Sequence, residues 1–360
     1  MSLKIKSGRF FEDFFLGQEF IHATPRTLTE GDASLYTALY GSQFAVNSSD
    51  TMAMSIGFEA APIDDILVFH MVFSKTIPEV SLNATANLGY SNCIFGTPIY
   101  PGDTIFVHSQ VIGLNENPDG KAGTVYIQSQ SRNQHGDMVL DYVRWVLIPK
   151  YNTSSEPSKT NIPQLLTFVD PENFILQPEW DFKAYETELS GSPYLFDDYV
   201  VGEKIDHVGC ITIEEVEHKM AARLYQNPSQ VHVNQQRQLT SNGKRKVYEE
   251  HIVSLARAMS FNGLANAFKI VAINSRFDCN PTFAGDTISA WSEVLATYAF
   301  PNKYDLGALR LRTVASKNKG NAYFQYKDEH CKYDTSTVLD FDYWVLIPRN
   351  MRLSVSRKNL

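Results

Sequence analysis

The chain has 360 residues, 43% of them hydrophobic and 12% aromatic, which supplies a sizeable core and suits two domains better than one. Its 32 Lys and Arg against 40 Asp and Glu give a net charge of −8, so the basic surface a nucleic-acid partner needs is not expected. Cys93, Cys210, Cys279 and Cys331 are widely spaced without a CxxC pair, which argues against a disulfide framework or a zinc site and for a reducing compartment.

The N-terminus, MSLKIKSGRFFEDFF, is charged and lacks a signal-peptide apolar core, and no run approaches the roughly 20 apolar residues that span a bilayer. A cytoplasmic protein without a membrane partner is expected. The glycosylation patterns Asn47-Ser48-Ser49 and Asn83-Ala84-Thr85 then have no use.

An aromatic-acidic segment, Phe11-Glu12-Asp13, leads to Gly17 and a short extended stretch. Thr27-x-x-Glu30 fits a capping box, and Ala33, Tyr36, Leu39 and Tyr40 follow at helical spacing. A second helix is predicted over Ile66 to Phe73. Strands follow at Thr104 to Ile112, Thr124 to Ser131 and the segment VLDYVRWVLIP from Val139, with a loop over Asn115 to Gly123. Gly102-Asp103 reads as a turn into a strand.

Tyr151 to Pro163 is rich in Ser, Thr, Asn and Pro and reads as loop. Gln164 to Ser192 carries Leu165, Phe168, Phe174, Ile175, Leu176, Trp180 and Phe182, too apolar for a free linker, so it is expected to pack across one of the domains.

The elements then recur. Phe196-Asp197-Asp198 and Gly202 repeat the opening, Thr212-x-x-Glu215 repeats the capping box, and Leu224-Tyr225 matches Leu39-Tyr40 at 225 − 40 = 185. A helix over Ile252 to Phe268, a turn at Gly285-Asp286, a strand over Thr287 to Leu295 and a loop over Lys317 to Asn321 lead to VLDFDYWVLIP, a near copy of VLDYVRWVLIP at 340 − 141 = 199. The chain is thus two copies of one unit, residues 8–150 and 193–349, joined by 151–192. Early helices followed by antiparallel strands make the class α+β, each unit a long helix wrapped by a curved antiparallel sheet.

A capped helix, a polar segment ending in His, and a later Gly-Asp turn before strands resemble the MaoC-like hydratases, whose motif runs roughly Gly-Asp-x-Asn-Pro-Leu/Ile-His. The resemblance covers both units and implies a tandem double hotdog. GRFFEDFFLGQEF, HATPRTLTEGDASLYTALYGS, LVFHMVFSKT and ARLYQN before VH resemble members that act on a branched five-carbon enoyl-CoA thioester with a second carboxylate. In the second copy the motif falls on Gln226-Asn227-Pro228-Ser229-Gln230-Val231-His232, with His232 at the family His and Asn227 where Asp is expected. In the first copy Ser42 and Asn47 replace both positions, which implies a degenerate half that supplies structure and part of the coenzyme A groove.

Adding water to an enoyl thioester needs a base, an acid and donors for the developing enolate. His232 is the candidate acid/base, because imidazole titrates near the working pH; the alternative is a core histidine with its hydrogen bonds satisfied. Asn227 does not titrate, so it holds the water through its carbonyl oxygen or orients His232. Glu249 and Glu250, placed just before the second helix, are able to approach, or else only favour a helix N-terminus. His251 opens that helix and either lines the site or is structural; the matching segment of the first copy, Pro62-Ile63-Asp64-Asp65, has no His. Arg276 is a candidate for the substrate carboxylate or a coenzyme A phosphate, the alternative being a surface Arg on a strand; Arg223 and Arg257 are weaker candidates, and Gln226 belongs to the same binding set.

No metal is required and no cofactor is expected beyond coenzyme A as part of the substrate; a homodimer fits the resemblance. The function implied is that of an enoyl-CoA hydro-lyase. A general R-specific enoyl-CoA hydratase, a hotdog acyl-CoA thioesterase and a non-catalytic acyl-CoA-binding subunit remain the alternatives.

Overall fold

The structure, a computed structural model, describes residues 7–156, 159–234, 245–320 and 324–350. Residues 1–6 of the N-terminal segment and Asn321 of the second loop lie outside them. In chain order, the first half contains β1 (Glu19–Thr27), α1 (Glu30–Tyr40), α2 (Ala45–Ser48), α3 (Asp50–Ser55), α4 (Asp65–Val80), β2 (Ala86–Phe95), β3 (Thr104–Glu116), β4 (Ala122–Arg132) and β5 (Met138–Pro149). After α5 (Thr187–Ser190), the second half contains β6 (Lys204–Asp206), β7 (Ile211–Thr212), α6 (Glu215–Leu224), α7 (Gln230–Val233), α8 (Glu249–Met259), α9 (Phe261–Leu264), β8 (Lys269–Asp278), β9 (Thr287–Ala299), β10 (Leu306–Lys317) and β11 (Thr337–Pro348).

The strands form one antiparallel sheet in the order β1-β3-β4-β5-β2-β8-β11-β10-β9-β6, with β7 paired to β9. The two halves join where β2 meets β8, at Cys93↔Ile273 and Ile94↔Ala272. Each half wraps one long helix, α4 or α8, and the buried faces of both helices belong to a single apolar core. A helix enclosed in this way has no solvent-facing side, so all residues from Ile66 to Ile77 are buried, polar His70, Ser74, Lys75 and Thr76 among them. This is the double hotdog architecture, an α+β fold.

The helices differ from their predicted bounds for local reasons. Thr27 and Thr212 are strand residues, each sharing a hydroxyl hydrogen bond with Thr104 (2.7 Å) or Thr287 (2.8 Å), and cap no helix. The cap of α1 is Thr29, whose hydroxyl accepts from Asp32 N while the Asp32 carboxylate accepts from Thr29 N. α4 runs seven residues past Phe73, because Ser74, Lys75 and Thr76 are buried with it rather than ending it. α8 begins three residues before Ile252 and stops at Met259. The chain breaks at Asn262 and Gly263, where Gly263 takes φ +102° and Asn262 exchanges two hydrogen bonds with His207 (2.8 and 2.9 Å).

The connecting segment packs on both halves, not on one. Trp180 stacks on Phe58 of the first half at 4.8 Å, whereas Phe182 and Phe174 meet Phe268 and Trp344 of the second at 5.2 and 5.6 Å. With Val169 they form a second apolar cluster on the outer face of the sheet. β11 is therefore covered twice: Tyr343, Val345 and Ile347 face the helices and Trp344 and Leu346 face the connecting segment, so all twelve of its residues are buried.

Candidate active site

The second-copy motif folds into a tight turn. Beyond α6, Gln226 takes φ +58° and Asn227 N donates to Ala222 O (2.9 Å). The Asn227 side-chain oxygen accepts from Ser229 N (2.8 Å), an Asx turn that launches α7. Part of the acceptor capacity foreseen for a water is thus spent on the backbone. α7 carries His232 inward, 7% exposed, with its ring 4.6 Å from that of Tyr248.

Glu249 and Glu250 lie in the first turn of α8, not before it, and point in different directions. Glu249 Oε2 stands 3.7 Å from His232 Nε2, and its other oxygen is held by Lys246 Nζ. Burial lowers the pKa of His232, with Glu249 opposing, so the imidazole is neutral at neutral pH. Burial would raise the Glu249 carboxyl, but the cation held against it, Lys246, opposes this and the group lies below its ordinary value. A neutral imidazole thus faces an ionised carboxylate without a direct hydrogen bond.

Glu250 accepts from Arg276 Nη1 (3.1 Å), and the rest of that guanidinium is taken by Asp278 (3.0 Å). Arg276 is 3% exposed on β8, neither a surface residue nor a free one. Burial pushes Glu250 up to about 7 against the pull of Arg276, whose guanidinium it shares with the more exposed Asp278. His251 is fully buried and shares a hydrogen bond with Tyr40 OH through Nδ1 (3.2 Å); its Nε2 has no partner, and burial drives its pKa to about 3. Arg257 lies over the Phe44 ring at 3.7 Å and donates to Ser260 (3.3 Å), a packing role.

Between α4 and the N-terminus of α8, several buried polar atoms find no partner: both ring nitrogens of His70, Ser74 Oγ, Tyr90 OH and Tyr248 OH. Tyr248 OH faces Ser74 and Asn227 without completing a hydrogen bond. Unsatisfied groups of this kind cost about 1–3 kcal/mol each, so their convergence marks a place built for a polar occupant. The sequence did not single out His70, Ser74 or Tyr90. The available signal was polar residues at positions i and i+4 on an otherwise apolar helix, within LVFHMVFSKT.

In the first copy the side chains at the matching positions are engaged in local structure. Asn47 donates to Pro62 O (3.0 Å), Asp64 caps α4 by accepting from Ile66 N (2.8 Å), and Asp65 pairs with Lys269 (2.6 Å). A cavity of about 430 Å³ lies nearby, lined by Gln43, Ser48, Thr51, Ser55, Glu186 and Ser190 among others; it contains no His or cation and shares no residue with the His232 cluster. Gly102 and Gly285, at φ +103° and +92°, form turns that Asp103 and Asp286 close by accepting from Tyr100 N (2.8 Å) and Phe283 N (2.9 Å). All four cysteines are free. Among the described residues no group of three metal-ligating side chains gathers, and no helix is long and apolar enough to cross a membrane.

A sheet wrapped around two long helices agrees with the comparisons: the chain belongs to the MaoC-like dehydratases of double hotdog fold. Within them it is 53% identical over 350 residues to the beta-methylmalyl-CoA dehydratase of Chloroflexus aurantiacus, covering 97% of this chain and 99% of the relative. It is 46% identical to the mesaconyl-CoA hydratase of Cereibacter sphaeroides, over 96% of this chain and all of the relative. A crystal structure described as a MaoC domain protein dehydratase from Chloroflexus aurantiacus superposes with a TM-score of 0.94 at 53% identity, over 97% of this chain and 100% of the other. A double hotdog protein of Mycobacterium tuberculosis shares the fold at a TM-score of 0.75 and 20% identity, over 95% and 99% of the two chains. No family model matches the chain.

Proposed function

We infer that the chain catalyses reversible addition of water to a branched five-carbon enoyl-CoA thioester bearing a second carboxylate, interconverting mesaconyl-CoA and β-methylmalyl-CoA. The carrying observation is a buried neutral His232 facing Glu249 at the N-terminus of α8, in a chain 53% and 46% identical to enzymes named for these two compounds.

In hydration, His232 takes one proton from water as the water oxygen bonds to the β-carbon. The π-electron pair moves toward the thioester as an enolate, which the first backbone N–H groups of α8 and its positive dipole end stabilise. The imidazolium then returns the proton to the α-carbon, so that one water is added and His232 is neutral again. Glu249, kept ionised by Lys246, stabilises the imidazolium between the two steps. Asn227 is a positioning residue, because its Asx turn fixes the start of α7 and hence the His232 ring. Coenzyme A enters as part of the substrate, and no separate cofactor takes part. The test follows the absorbance of the conjugated enoyl thioester on mixing with mesaconyl-CoA. Loss with the wild type and none with His232→Ala supports the reading. Thioester cleavage to free thiol, or no reaction with the wild type, overturns it.

A further inference from the structure

Lys75 lies on α4 of the first half, and only 8% of it is exposed. Its ammonium donates to one neutral group, the side-chain oxygen of Gln226 in the second half (2.8 Å). Other buried ammonium groups have a carboxylate: Lys150 meets Glu116 at 2.9 Å and Lys269 meets Asp65 at 2.6 Å. Lys75 has none among the described residues, and the charge it faces is another cation, Arg26, which is itself paired with Asp32 at 2.5 Å. Burial lowers its pKa, the response of a cation without a counter-charge. Burying an ammonium in this way is costly unless an anion arrives to meet it.

The position of Gln226 places this cation beside the motif. It directly precedes Asn227 in the left-handed turn that sets His232, and Ser74, beside Lys75 on α4, approaches Tyr248. In β-methylmalyl-CoA the new hydroxyl and the free carboxylate share one carbon. The anchor for that carboxylate must therefore stand beside the group that activates water. Arg276 does not serve, because Glu250 and Asp278 already occupy its guanidinium.

We propose that Lys75, oriented by Gln226, holds the free carboxylate of the substrate, so that the half without the catalytic histidine selects for a dicarboxylic acyl group. The inference rests on the hydratase reading above and adds the residue that sets its specificity. It also makes the catalytic half dependent on the other, since the anchor and His232 come from different copies.

The test compares the full-length wild type, Lys75→Met and Lys75→Arg on mesaconyl-CoA and on 2-methylbut-2-enoyl-CoA, which has a methyl group in place of the carboxylate. The expected result is a wild-type preference for mesaconyl-CoA that Lys75→Met reduces by about 100-fold, the scale of a lost charge-assisted contact, mainly through KM. Lys75→Arg recovers part of it. Thermal unfolding of Lys75→Met is expected at or above the wild-type midpoint, because an uncompensated cation is removed. A wild-type preference that survives in Lys75→Met overturns the proposal, as does an equal loss on both substrates with a lowered midpoint, or a wild type that does not discriminate. If the wild type hydrates neither thioester, the hydratase reading fails by itself. The carboxylate anchor is then decided by whether Lys75→Met erases a binding preference for methylsuccinyl-CoA over 2-methylbutyryl-CoA.

Discussion

Tyr40 and Tyr225, the same position in the two copies, hydrogen-bond to each other through their hydroxyls at 2.9 Å. The duplicated residue thus meets its own duplicate where the halves pack, and the pair extends to His251 Nδ1 on one side and Ser254 Oγ on the other, both at 3.2 Å. Tyr40→Phe or Tyr225→Phe leaves a buried partner unsatisfied and is expected to cost about 1–3 kcal/mol. The double variant should cost less than the sum of the two, because the Tyr40–Tyr225 hydrogen bond is broken by either change and is lost only once. Urea unfolding of the three variants measures both effects.

In the proposed mechanism His232 acts as a neutral base, and its pKa is lowered by burial. Activity is therefore expected to hold at neutral pH and to fall only as the pH drops through a value below 6.5. Glu249→Gln removes the charge that supports the imidazolium. It should reduce kcat by about 10²–10³-fold, within the range of acid–base contributions, and move the acid limb to lower pH. A pH profile of kcat/KM for wild type and variant shows both the loss and the sign of the shift.

Two further histidines store pH dependence in the fold. Burial takes His207 down to about 4 and His251 to about 3. Each folded value lies below the unfolded one, so the unfolded chain binds more protons at acid pH and their contribution to stability is complete only above 6.5. The unfolding midpoint should fall progressively from pH 6.5 toward 4, and His207→Gln should flatten that slope in thermal melts.

Arg276→Met leaves the buried Glu250 without its cation and takes the same partner from the more exposed Asp278. The expected loss is about 3–5 kcal/mol, the cost of breaking one side of a buried ion pair. Glu250→Gln, which keeps one carboxylate on the guanidinium, should cost much less. Chemical denaturation at pH 7.5 separates the two, and equal losses would contradict this account of the cluster.

What could be read in the chain followed the range of the interactions. The terminal strands announced themselves because VLDYVRWVLIP and VLDFDYWVLIP encode β structure locally, and His232 because it stands at the His of the motif that the segment resembles. The β2–β8 joint could not be seen, since it rests on two residue pairs about 180 positions apart. Thr27 and Thr212 misled because a Ser/Thr-x-x-Glu pattern describes a cap only when the chain turns there, and each threonine instead pairs across strands. Lys75 passed unnoticed for a related reason: a lysine carries meaning when it is buried without a carboxylate, and burial is a property of the folded molecule.

The connecting segment has a further consequence. Trp180 grips one half and Phe182 the other, so the segment is a clasp as much as a tether. Covalent continuity and noncovalent grip are redundant here. A single cut in the loop before the clasp leaves Trp180 attached to the second half through the chain and still seated on Phe58 of the first, and two separately produced pieces have what they need to reassemble by complementation.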